Sequence, residues 1–300
     1  MRPSAKSKTK LKPSSATSWE FEAIGTHWWI SLLEHVDEQK LNYLQLKVAE
    51  RIECFDKTYS RFRDDSLVSR VANQAGTYTF PEDSRMLIQM YRQLYDVTDG
   101  AVTPLIGDVL VAAGYDADYS FQPKELHTPR TWDQVLTYEN NVLATNQPTV
   151  LDFGAAGKGY LVDIVAGLLL SEGIDSFCVD AGGDIYAYGG STMSIGLEYP
   201  DDSAKVIGIA KLHNQAIAGS APNRRTWGGY HHVMDPHTLR STIGLKASWV
   251  VAESGILADG LATALFFVPP EKLKQFDFEY LLINDKNQYR WSASFPAELF

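Results

Sequence analysis

A chain of 300 residues with 45% hydrophobic and 21% charged side chains has the balance of a globular protein that buries a core without disulfide or metal staples. Its formal net charge of −10 excludes a general affinity for nucleic acid, though a local cluster can still hold a small anionic ligand. Cys54 and Cys178 are distant and form no CxxC pattern, and no run of 18 apolar residues exists; a zinc ribbon, a disulfide framework and a membrane-spanning helix are thereby excluded, and both cysteines read as packed thiols.

Residues 1–18 are basic and Ser-rich. They lack the continuous apolar stretch of a secretory signal, so they read as a disordered tail on one domain, 19–300, with a cytoplasmic location expected. A first strand is predicted over residues 21–33. Leu41, Leu44, Val48, Ile52, Phe55 and Tyr59 recur at steps of three and four, the apolar face of a long helix. SRFRDDSLVSR follows as a turn and a short helical stretch. Pro81 is expected at the first position of the next helix, with Leu87, Met90, Leu94 and Val97 inward and Asp99-Gly100 as its stop.

VLTYENNVLAT predicts a hairpin turning at Asn140-Asn141. TVLDF reads as a short strand leading through GAAGKG into a helix that Gly173 ends. SFCVD, SIGLEY, KVIGIAKL, AIAGS, HHVMD and KASWVVAE read as strands, and SGILADGLATALFF as a helix capped by Ser254. FEYLLIND and QYRWSA form a last hairpin. Helices and strands mix without strict alternation, so the fold class is α+β, not doubly wound.

Four segments could carry chemistry. In LDFGAAGKGY (151–160) a glycine turn before a helix directs N–H groups at whatever lies above it, and Lys158 adds a cation, an arrangement suited to phosphate. It is not a Walker loop, because Asp152 stands at the first glycine and Gly159 stands where Ser or Thr would bind magnesium. A plain strand-to-helix turn fits the same residues. In ADGLATAL (258–265) Asp259 and Thr263 are four apart and share one helix face, two hard oxygens suited to magnesium. Asp259 also fits the ordinary preference for negative charge in a first helical turn. Gly260 costs that helix ~1 kcal/mol relative to alanine, which a functional constraint could explain.

In YHHVMDPH (230–237) strand alternation puts His232 and Met234 on one side and His231, Val233 and Asp235 on the other. His232 is a candidate proton acceptor, or a hydrogen-bonded strand-end histidine. In VDAGGDIYAYGG (179–190) paired glycines admit close backbone approach, and Asp180 and Asp184 bind ligand or cap the turn.

Taken in order, FEAIGTHW, SRFRDDSLVSR, TDGAVTPLIG, LDFGAAGKGYLVD, VDAGGDI, HHVMDP and DGLATALF resemble the FAD:protein FMN transferases, the ApbE flavin transferase family, from about residue 20 to 270. The resemblance implies a two-lobed, T-fold-like α+β domain with mixed or antiparallel sheets and flanking helices, binding FAD between its lobes. It implies magnesium-dependent cleavage of the FAD pyrophosphate, esterification of FMN to a Thr or Ser hydroxyl of a client protein, and release of AMP. By motif, the Ala155 carbonyl, Asp259 and Thr263 would hold the metal. Lys158 would contact the flavin nucleotide. Ile24, Phe62, Ala101, Val102, Thr103, Asp163 and Asp180 would fall on the FAD side. His232 matches a histidine important for transfer, and His232 or Asp259 would serve as base.

This chain departs from the family where methionine is usual at Ile24 and aspartate common at Thr103. Leu239 replaces the glycine of DPxTG, which is expected to alter the turn beside His232. The alternatives are an FAD pyrophosphatase using the same metal site, and a non-catalytic flavin-binding protein. Asp259, Thr263, Lys158 and His232 together weigh against the latter.

Overall fold

The computed structural model describes residues 17–300. The expected tail over 1–16 lies outside the described residues; Thr17 and Ser18, assigned to it by composition, instead open the first strand. The single strand expected at 21–33 is a hairpin, β1 (Thr17–Ala23) and β2 (Thr26–Leu32). Ile24 and Gly25 turn it with φ of 45° and 72°. Two left-handed residues in succession make the tight turn that matches strand twist, but Ile-Gly lacks the Asn-Gly or Asp-Gly signature that announces it.

Helix α1 (Glu38–Tyr59) is capped by Asp37, which accepts from Lys40 N, and buries Leu44, Val48, Ile52, Phe55 and Tyr59, the expected stripe. Next come α2 (Leu67–Asn73), β3 (Gly76–Thr79) and α3 (Ser84–Val97). Pro81 does not start α3; it belongs to a preceding turn closed by Ser84 N donating to Pro81 O at 2.9 Å. After Asp99-Gly100 come α4 (Gly107–Ala112) and α5 (Trp132–Val135). The hairpin of β4 (Leu136–Glu139) and β5 (Val142–Thr145) turns at Asn140-Asn141 as expected, and β3 pairs with β5.

The strand expected at 149–153 is absent, because that segment spends its polar groups elsewhere: Asp152 N donates to Pro104 O, and the Asp152 side chain engages Arg61. Helix α6 (Gly157–Ser171) ends before Gly173, at φ 79°. Strands β6 (Phe177–Ala181), β7 (Ile185–Tyr188), β8 (Met193–Tyr199), β9 (Asp202–Leu212) and β10 (Gln215–Ser220) follow. HHVMD is not one strand. Two small hairpins share it, β11 (Thr226–Trp227) with β12 (Tyr230–His231) and β13 (Met234–Asp235) with β14 (Arg240–Ser241), so the chain breaks pairing at His232-Val233 and the two-sided alternation fails. The chain closes with β15 (Leu245–Ala252), α7 (Gly255–Ala264), β16 (Glu279–Asn284), β17 (Tyr289–Trp291) and β18 (Ala297–Leu299).

The main sheet runs β1-β2-β6-β7-β10-β15-β16-β17, with every pairing antiparallel. Period-two alternation feeds two cores at once. Val179, Ala216, Ala218, Val250 and Leu282 face a core shared with Leu44 of α1, Leu87 of α3, Leu161 of α6 and Leu261 of α7. Cys178, Ile217, Trp249, Val251, Leu281 and Ile283 face a second core with Ile195, Leu197 and Leu212, contributed by β8 and β9. Each fully buried Val, Leu or Ile among them contributes about 1.5–3 kcal/mol. The fold is thus α+β, with helices on one face of the sheet and the β18-β9-β8 sheet on the other. Cys178 is packed, whereas Cys54 lies exposed on α1. Among the described residues no helix is long and apolar enough to cross a membrane.

Helices α6 and α7 approach most closely at glycines. A Cβ on Gly159 would sit 2.0 Å from Gly255 O, and one on Gly255 would sit 2.4 Å from Gly159 O. Ser254 stands before α7 but makes no side-chain cap bond. Asp163 of α6 does the capping instead: its two oxygens accept from Gly255 N at 2.6 Å and Ile256 N at 2.8 Å.

Candidate active site

A cleft of about 1640 Å³ opens over the start of α6 and the flank of α7. The 152–156 turn forms part of its floor. Asp152 accepts from Gly154 N at 2.7 Å and from Arg61 Nε at 2.5 Å. Burial works against the Asp152 charge, but the Arg61 guanidinium and the Gly154 N–H outweigh it and hold the carboxyl below its usual range. Ala155 N donates to the buried Tyr91 hydroxyl at 3.0 Å, which fixes the Ala155 peptide. Its carbonyl accepts from Thr263 Oγ1 of α7 at 3.2 Å.

Asp259 lies one turn earlier on α7. The sequence suggested a helix-surface carboxylate; it is 2% exposed, because α7 is buried nearly all round. Gly159 N donates to Asp259 Oδ2 at 3.0 Å. Lys158 Nζ lies 2.6 Å from Asp184 Oδ2 and 3.3 Å from Asp259 Oδ1. Burial and the neighbouring Asp184 raise the Asp259 pKa, and Lys158 only partly offsets them. Burial disfavours the Lys158 ammonium as well, yet the two aspartates more than compensate and keep it charged.

Gly260 has a packing reason: a Cβ there would meet Leu94 Cδ1 of α3 at 2.9 Å. Of the paired glycines after β6, Gly182 serves the expected close approach, since a Cβ there would meet Thr26 Oγ1 at 2.0 Å, whereas Gly183 faces open space and is required by its φ of 109°. Asp180 accepts from Gly183 N at 2.9 Å and also lines the cleft.

Ile24, Phe62, Ala101, Val102, Thr103, Ala155, Lys158, Asp180, His232, Asp259 and Thr263 all line this one cleft. Asp163 does not; helix capping occupies its carboxylate, and burial lifts its pKa to about 6. Thr103 is buried and its hydroxyl accepts from Leu105 N at 3.2 Å, capping a short turn. The His232 N–H donates to Arg225 O at 3.3 Å, and its Nδ1 is buried without a partner. Burial first, then the charges of Arg225 and Lys158, pull the His232 pKa down to about 3, so the imidazole is neutral near pH 7. Leu239 adopts φ 58°, a conformation that glycine takes without strain and leucine only at a cost of roughly 1–2 kcal/mol.

Sequence reasoning did not find Arg61, Asp152 or Arg225. The Arg61–Asp152 pair joins residues far apart in the chain, and no spacing signals it. Nor did sequence reveal the aromatic wall in which Phe62 stacks on Tyr119 with centroids 5.3 Å apart, beside Tyr115.

Among the described residues no three His, Cys, Asp or Glu side chains converge as a metal site. A cation here would rely on carbonyl and hydroxyl oxygens, the donor chemistry magnesium favours. The donor set fits. Adjacent ligands of an octahedral magnesium lie about 3 Å apart, and Ala155 O and Thr263 Oγ1 are 3.2 Å apart. Asp184 and Asp259, both 2% exposed, share the single Lys158 ammonium.

An antiparallel α+β sandwich with oxygen donors at the cleft floor and cations on its walls defines a class of protein suited to a charged nucleotide. The ApbE family profile matches residues 24–279, and the chain belongs to that family. It is 27% identical over 289 residues to the FAD:protein FMN transferase of Klebsiella pneumoniae, covering 87% of this chain and 81% of the relative. It is 28% identical over 280 residues to the enzyme of that name from Vibrio cholerae, covering 87% and 84%. Its fold matches the ApbE protein of Thermotoga maritima with a TM-score of 0.81 at 21% identity, covering 94% of this chain and 100% of that one. The flavin transferase ApbE of Vibrio cholerae matches with a TM-score of 0.78 at 23% identity, covering 94% and 99%.

Proposed function

We propose that this protein is an FAD:protein FMN transferase: it moves FMN from FAD to a Thr or Ser hydroxyl of a client protein and releases AMP. Family membership and the names of its curated relatives support the reading. The observation that carries it is the Thr263 hydroxyl bonded to the Ala155 carbonyl on the floor of one dinucleotide-sized cleft that Asp259 also lines.

The acceptor oxygen attacks the phosphorus of the FMN half. A new P–O ester bond forms, the P–O bond to the AMP half breaks with its electron pair, and the hydroxyl proton passes to a base. Ala155, Asp259 and Thr263 would hold magnesium, which supplies charge neutralisation at the diphosphate. Lys158 sits between the two carboxylates, 2.6 Å from Asp184 and 3.3 Å from Asp259. His232 is the better base of the two candidates, because it is neutral and its Nδ1 has no partner, whereas Asp259 is engaged by Lys158 and Gly159 N. Burial is the largest cause of the low His232 pKa and the charges of Arg225 and Lys158 add to it; a diphosphate beside those two cations would offset their part.

Incubation with FAD, magnesium chloride and a Thr/Ser-bearing client, followed by denaturing electrophoresis, tests this. A fluorescent flavin band on the client is the expected result. AMP release at an equal rate without client, and no band, would instead make the protein an FAD pyrophosphatase.

A further inference from the structure

Five lysine and arginine side chains line the cleft: Arg61, Arg63, Lys158, Arg224 and Arg225. Four are already matched with carboxylates. Arg61 pairs with Asp152, Arg63 with Asp56 and Asp65, Lys158 with Asp184 and Asp259, and Arg224 with Glu198. Among the described residues the Arg225 guanidinium has no such partner, and the side chain is exposed.

Its backbone is nonetheless held in place. Arg225 N donates to Pro222 O, and Arg225 O accepts from His232 N, both at 3.3 Å. The β11–β12 hairpin, turned by Gly228 and Gly229, thus carries Arg225 and His232 on one wall. The residue lines the cleft, and its charge is felt there. It acts on His232, Lys158, Asp152 and Tyr115, four groups around the floor and wall of the cleft. An unpaired guanidinium above a floor that already binds its own charges internally is poised for an incoming anion, and its planar fork suits phosphate oxygens.

We propose that Arg225 is a substrate-binding residue that clamps a phosphate of the dinucleotide's diphosphate bridge, beside His232. The proposal rests on the transferase reading, since that reading supplies the diphosphate. During transfer the same contact offsets charge growing on the phosphate oxygens as the P–O bond breaks.

The test measures binding of two ligand pairs to the full chain, riboflavin against FMN and adenosine against AMP, for wild type, Arg225→Gln and Arg225→Lys. A charge-assisted contact implies that Arg225→Gln weakens the phosphorylated member of one pair about tenfold or more. The unphosphorylated members should bind unchanged, and Arg225→Lys should recover most of the loss. Which pair responds tells which phosphate is held. Equal weakening of riboflavin and adenosine, or FMN and AMP affinities indifferent to the substitution, overturns the proposal. Client flavinylation by wild type is scored separately: its presence beside an indifferent Arg225→Gln leaves the transferase standing and removes only the clamp, while its absence strikes the transferase reading itself.

Discussion

Individual residues in this protein carry strain and charge that their neighbours explain. Ile24 is β-branched yet sits at φ 45° on the cleft wall, a conformation that crowds Cβ against the following carbonyl. Methionine, unbranched and of similar volume, would relieve part of that crowding and keep the wall apolar. Ile24→Met is expected to stabilise the fold by about 0.5–1 kcal/mol, raising the thermal midpoint by about 2 °C with FAD affinity unchanged; calorimetry alongside a flavin titration checks it. Asp259→Asn keeps the shape of a buried side chain while Lys158 retains Asp184 as its partner. Folding should survive, and transfer should fall by at least about a hundredfold, roughly 3 kcal/mol of barrier. Flavinylation near the wild-type rate in that variant would remove Asp259 from the metal site.

At the level of elements, the site depends on how α6 and α7 meet. Gly159 occupies the place where a Walker loop would put a hydroxyl, and the reason is steric: α7 passes so near that a Cβ would meet Gly255 O at 2.0 Å and Gly255 C at 2.5 Å. Backbone on both sides cannot yield cheaply, so Gly159→Ala should cost about 3 kcal/mol, read as a lower urea midpoint. The same change would push Asp259 away from Ala155. Asp163 supplies the second tie, capping two N–H groups at the buried start of α7. Asp163→Ala leaves both without an acceptor and is expected to cost about 2 kcal/mol, again by urea denaturation. Unaltered stability would show that solvent satisfies those groups.

Across the whole molecule, buried titratable groups make stability depend on pH in opposing ways. His232 in the unfolded chain takes up a proton near pH 6.5, but in the folded protein only near 3. Stability from this group is therefore complete above pH 6.5 and declines as pH falls, by at most about 1.4 kcal/mol per unit. Asp163 works the other way: its folded pKa of about 6 lies above the ordinary aspartate value of 3.8, so its contribution declines as pH rises from about 4 to 6. In His232→Gln the first dependence disappears. The stability gap between wild type and that variant should shift steadily in the variant's favour from pH 6.5 down to 4.5; a constant gap across urea titrations would show that His232 is not held neutral.

Much of this architecture was legible in the chain, for a physical reason. Helix α1, the Asn140-Asn141 hairpin, β6, β15 and α7 follow from periodicities of 3.6 and 2 and from turn residues, all local properties. Asp259 and Thr263 share a face because a helix repeats, so their pairing was written four residues apart. The Ile24-Gly25 turn, the broken HHVMD segment and the missing strand at 149–153 were not legible, because their hydrogen bonds and φ angles answer to distant partners. Likewise the burial of Asp259, the capping duty of Asp163, the Arg61–Asp152 pair and the unpaired charge of Arg225 depend on which remote groups lie alongside. Residue order decided which elements form and which side chains share a face; only packing of α7 against α6 and of the β11–β12 hairpin over the cleft decided which charges meet a partner.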